Sequence, residues 1–228
     1  MDQVAANCQP KGQRGVCKWL QWLLIVQIIS ITYAMLSHTV NFGIFNEWLK
    51  LAISVGILFC LGKLVSSCGF YRFPVAFLSV KVICTLVRHI LGSNAVYPPV
   101  RDLFAENYIE VMTSVSGWVV WIFLICDTGG MLFEWIAHGK LVKPVNLRLN
   151  KYWCWLTVAA LVVSIGMFLL NVFVPDMLRQ GTLDVVKYQK ILPLLNLPGL
   201  LVKIAYIVCL FRTEWVLRYA HPDREKTL

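Results

Sequence analysis

Six ionisable residues fall inside stretches that are otherwise apolar: Lys63, Lys81, Arg88, Asp127, Glu134 and Lys203. A charge near the centre of a membrane helix costs roughly 2.5–3.5 kcal/mol on the insertion scale, so each should face protein or water rather than lipid. Their spacing sorts them onto helical faces, because residues three, four and seven apart return to one side. Lys81, Thr85 and Arg88 share one stripe, Asp127, Gly130 and Glu134 a second, and Asn196, Gly199, Lys203 and Tyr206 a third. The chemistry open to such seams is ion pairing, recognition of a charged solute or lipid headgroup, or handling of a proton. Four cations against two anions suit an anionic guest. The plainer alternative is that the charges only neutralise one another and fix helix register, with Lys63 and Arg88 reaching toward headgroups along their aliphatic stems.

The elements that must hold these residues follow from composition. Of 228 residues, 58% are hydrophobic and 14% charged, and the mean hydropathy is +0.68, which excludes an ordinary water-soluble domain. Six apolar segments stand out, at Trp19–Leu36, Trp48–Val65, Phe73–Leu91, Ser114–Ile136, Tyr152–Val174 and Ile191–Trp215. A backbone in hydrocarbon must satisfy its own hydrogen bonds, so all should be helices. The expected fold is therefore all-α, a polytopic membrane protein of about six transmembrane helices in one bundle. Residues 19–215 form the membrane domain, flanked by tails at 1–18 and 216–228.

Basic residues orient the bundle, since cytoplasmic loops carry the excess. With the N-terminus inside, twelve Lys and Arg lie on the cytoplasmic side and only Lys50, Arg101, Arg179, Lys187 and Lys190 outside. Both tails are thus expected in the cytoplasm, with anionic headgroups of the cell membrane as partners of the basic loops. The net charge of +9 sits between apolar runs, which argues against nucleic acid. Trp19, Trp22, Trp48, Tyr71, Trp135, Tyr152, Trp153, Trp155, Trp215 and Tyr219 lie near proposed boundaries, as headgroup-layer aromatics do.

Depth narrows the pairing of the internal charges. At about 1.5 Å per residue, Lys81 lies about 10 Å from the cytoplasmic edge, Asp127 and Lys203 about 15 Å, and Glu134 and Lys63 within about 6 Å. Asp127 is expected to pair with Lys81 or Lys203, and Glu134 with Lys63. Gly129-Gly130 and the Pro193–Gly199 stretch read either as helix interruptions, which membrane proteins tolerate where they line a cavity, or equally as close packing at Gly and a loop-to-helix transition at Pro198.

Other patterns fail on context. Asp127-Thr128-Gly129 lacks the second carboxylate and the strand-rich surroundings of an aspartic-protease turn. The stretch Gly56–Lys63 has the wrong spacing for a phosphate-binding loop, and Leu64 stands where Ser or Thr is needed. Eight Cys form no C-x-x-C pair, so neither a metal site nor a cofactor is expected. His38, His89, His138 and His221 fall near boundaries, where they would meet water or headgroups. No catalytic motif emerges, and the expected function is that of a small translocator or binder of an anionic solute or headgroup at the seam of Lys81, Thr85, Arg88, Asp127, Glu134, Lys203 and Tyr206. A non-transporting accessory or scaffold for a membrane partner is the alternative, with an intramembrane enzyme third.

Overall fold

A computed structural model describes residues 13–36, 45–91, 115–180 and 185–219. These form six α-helices and no strand among the described residues: α1 Gln13–Leu36, α2 Phe45–Leu64, α3 Arg72–Leu91, α4 Val115–Val142, α5 Leu147–Arg179 and α6 Val185–Tyr219. A 3-10 turn at Gly69–Tyr71 links α2 to α3. Among the described residues, three stretches are long and apolar enough to cross a membrane, Gly15–Leu36, Gly69–Val87 and Leu147–Met167.

Two connections show how the chain reverses. After α2, Ser67 and Cys68 both donate backbone N–H groups to the Leu64 carbonyl, and Pro74 sits in the first turn of α3, where a missing donor costs nothing. After α4, Pro144 bars further helix, and Asn146 restarts it by accepting the Leu149 N–H on its side-chain oxygen at 2.9 Å.

Each helix packs on the next, and α6 returns to α1, which closes a ring. Contacts alternate in direction. The start of α1 meets the end of α2 through Trp19 and Phe59, the start of α3 meets the end of α4 through Tyr71 and His138, and the start of α5 meets the end of α6 through Trp153 and Thr213. The dense core lies at this one end, where Leu20, Leu23, Leu61, Leu64, Tyr71, Leu141, Trp153, Leu210 and Leu217 are almost wholly buried. Gly139 permits the tight α4–α5 approach: a Cβ there would stand 3.0 Å from Asn150 Oδ1 and 3.1 Å from Trp153 Cβ.

The outer surface is apolar. On α6, Leu197, Leu201, Ile204, Val208, Phe211 and Trp215 form an exposed stripe at three- and four-residue spacing. It is about 27 Å long at 1.5 Å per residue, close to the ~30 Å hydrocarbon layer. Trp155, Val158, Val162, Ile165 and Leu169 repeat the pattern on α5.

The expected helix interruptions are absent. α4 runs without a break through Gly129-Gly130, α6 through Pro193 and Pro198, and α5 through Pro175 to Arg179. A proline removes one backbone bond and crowds one carbonyl, which a long helix supported by neighbours can absorb. At Gly129 the close-packing alternative holds, since a Cβ there would meet the Phe77 ring at 3.3 Å. Trp135, Trp153 and Tyr71 also differ from the boundary role expected of them. All three are core residues, 3%, 0% and 0% exposed, because the helix ends they occupy pack on one another.

Candidate functional site: a central polar cavity

All six helices line one half-open cavity of about 440 Å³. Gln27, Ser30 and Ile31 come from α1, Ile57 and Leu61 from α2, Pro74, Leu78 and Lys81 from α3, and Ser164 from α5. α4 contributes the longest wall, from Cys126 and Asp127 to Glu134 and Trp135, and α6 adds Lys203 and Tyr206. Five of the residues singled out in the sequence therefore share one site: Lys81, Asp127, Glu134, Lys203 and Tyr206.

Two charged levels can be distinguished. At the upper one, Lys81 Nζ donates to Asp127 Oδ1, so the α3–α4 pairing expected from depth is present and Lys81, not Lys203, is the partner. Both side chains remain accessible, at 27% and 66%. Lys203, on the opposite wall, has no ion-pair partner among the described residues. Thr85 does not join the site, because its hydroxyl donates to the Lys81 carbonyl of its own helix at 2.8 Å. The side chain of Arg88 lies outside the described residues.

The lower level closes the cavity against the dense end. Glu134 is 7% exposed, and its Oε1 accepts the Tyr206 hydroxyl at 2.6 Å and the Gln27 amide at 3.4 Å. One turn further along α4, His138 Nε2 stands 3.5 Å from the same oxygen without the geometry of a hydrogen bond. His138 Nδ1 shares a 2.7 Å hydrogen bond with the Tyr71 hydroxyl. Around these groups Trp135 stacks on Tyr206 with centroids 5.1 Å apart, and Trp153 meets Tyr206 edge-on at 5.8 Å. Trp153 Nε1 donates to Thr213 Oγ1 at 2.9 Å, and Thr213 donates on to the Cys209 carbonyl.

Two expectations are corrected here. Glu134 does not pair with Lys63, which is exposed on α2 with its ammonium over the rings of Trp19 and Phe59. Equal depth set these two charges level, but α2 and α4 are not neighbours in the ring. His138 is no boundary residue either. It is fully buried, because α4 continues to Val142 and its last turns pack against α3 and α5. The cavity consequently holds two lysines against two acids, rather than an excess of cations.

Gln27 and Thr213 were not singled out by sequence reasoning, and Tyr71 only as a boundary aromatic. The signal for Gln27 was available, as an amide in the middle of the apolar run Trp19–Leu36 needs a partner inside the bundle. For Tyr71 and Thr213 there was none, since both lie near ends where water would have served as well.

Among the described residues, no group of three or more His, Cys, Asp or Glu could hold a metal ion. The arrangement is suited to binding: a hollow of small-molecule size, mostly apolar, with a few converging polar groups. Comparison with known proteins finds no matching family model, no similar curated protein and no similar solved structure.

Proposed function

We propose that the chain is a six-span protein of the cell membrane, with both tails in the cytoplasm, that binds or moves a small anionic solute or headgroup in its central cavity. The observation that carries this reading is Lys203, a cation without an ion-pair partner among the described residues on the wall of a cavity of about 440 Å³. Lys203 is exposed, and within a membrane an unpaired ammonium is costly unless water or a counter-charge reaches it. The alternating helix directions and the outward apolar stripes support six spans, and the basic loops support the orientation.

Cysteines introduced at Ser30, Thr128 and Ser164, in a background without native Cys, test the cavity directly. A membrane-impermeant thiol reagent should label them in folded protein, and a small anion should slow the labelling. Complete protection at all three positions would overturn the reading and leave the accessory or scaffold role.

A further inference from the structure

Glu134 is bonded asymmetrically. Its Oε1 receives Tyr206 and Gln27 and is the oxygen nearest His138, whereas no described residue donates to Oε2. The donors that hold it, a phenol and an amide, are neutral, so they orient the carboxylate without cancelling its charge. Of the two cavity cations, Lys81 is engaged by Asp127. The carboxylate also stands beside an aromatic wall, because Trp135 and Tyr206 line the same cavity and stack on each other. A carboxylate next to the faces of Trp and Tyr suits an organic ammonium, which gains from charge and ring together. Lys203 lies one turn from Tyr206 on α6, so an unpaired cation and a half-used anion face one hollow.

We propose that the cavity takes a small zwitterion, its ammonium on Glu134 against the Trp135–Tyr206 wall and its carboxylate or phosphate on Lys203. This rests on the reading of the cavity as a solute site and adds the second, opposite charge that the solute must carry. An anion alone would satisfy Lys203 and leave Glu134 buried beside apolar groups. The zwitterion satisfies both and adds no net charge to the membrane interior.

Calorimetric titration of the purified full chain in detergent tests the pairing of charges. The probes are glycine, β-alanine and γ-aminobutyrate, with acetate, propionate and butyrate as anion-only analogues and ethylamine and butylamine as cation-only analogues. The best zwitterion should bind at least about tenfold tighter than either half-analogue. Glu134→Gln keeps an acceptor for Tyr206 but removes the charge, and it should bring the zwitterion down to the affinity of its anionic analogue, whose own binding is unchanged. Lys203→Met should do the converse, leaving the amine as the better ligand. An anion that binds wild type as tightly as its zwitterion, or a Glu134→Gln variant that weakens both alike, overturns the second charge while the solute site stands. Binding by none of the probes overturns both.

Discussion

Where α4 hands over to α5, His138, Trp153 and Leu141 have no exposed surface, yet about three turns back from His138 along α4 Asp127 keeps 66% of its side chain accessible. One end of the ring is densely packed: it holds His138 and Trp153 through the hydroxyls of Tyr71 and Thr213, and its buried Glu214 through Arg218 of the same helix. The middle holds ionic partners around a hollow. The difference shows that the same six helices divide two tasks along their length: the packed end fixes the spacing of the ring, and the level above uses that spacing to keep a cavity open. Stability and binding should accordingly respond to different residues.

The largest effect is expected from Trp153→Ala, which empties a fully buried site and should cost about 3–5 kcal/mol. Denaturant unfolding in micelles measures this, and Trp153→Phe should cost less because it removes mainly the bond to Thr213. A Trp153→Ala variant no less stable than Asp127→Asn would abolish the distinction between the two levels.

Next comes Gly139→Ala, whose new methyl would press on Asn150 and Trp153 and should cost about 1–3 kcal/mol. Gly166→Ala is the control. Nothing lies within 4 Å of its Cβ position, so it should be neutral or slightly stabilising. Equal melting temperatures for the two variants would show that the α4–α5 contact does not set the ring.

The ion pair should behave in the opposite way. Because Lys81 and Asp127 are both accessible, breaking the pair should change stability by no more than about 1 kcal/mol. Solute binding should nevertheless fall in Lys81→Asp and in Asp127→Lys, and recover in the exchanged double variant. Equal loss in the single and double variants would mean that position, not pairing, matters. Smallest of all, Thr85→Val should leave binding unchanged and stability within about 0.5 kcal/mol, since its hydroxyl only bonds its own helix.

The helices and the Lys81–Asp127 pair were legible because they depend on periodicity and depth along single segments. α3 and α4 are consecutive, so level charges on them were able to meet. Glu134 and Lys63 show where that reasoning ends. Depth supplies one coordinate, and the ring's order of neighbours supplies the other, which no single helix encodes. Lys63 follows buried Cys60 and Leu61, so its own face points outward, and Glu134 turns instead to Gln27 and Tyr206. The prolines of α6 misled for a related reason: local chemistry argues for a break, and the neighbouring helices carry the chain through it.

The contact of α6 with both α5 and α1 has a consequence for how the protein is made. Of the six described helices, synthesis delivers α6 after the others, so until it arrives Glu134 lacks Tyr206 and Trp153 lacks Thr213. The first five helices can pair with their predecessors, but the ring stays a horseshoe whose gap exposes a carboxylate and an indole N–H. The final helix is therefore the keystone of assembly. A ribosome-stalled chain that has released only α1 to α5 should bind quality-control proteases or chaperones, and release of α6 should end that vulnerability in a single step.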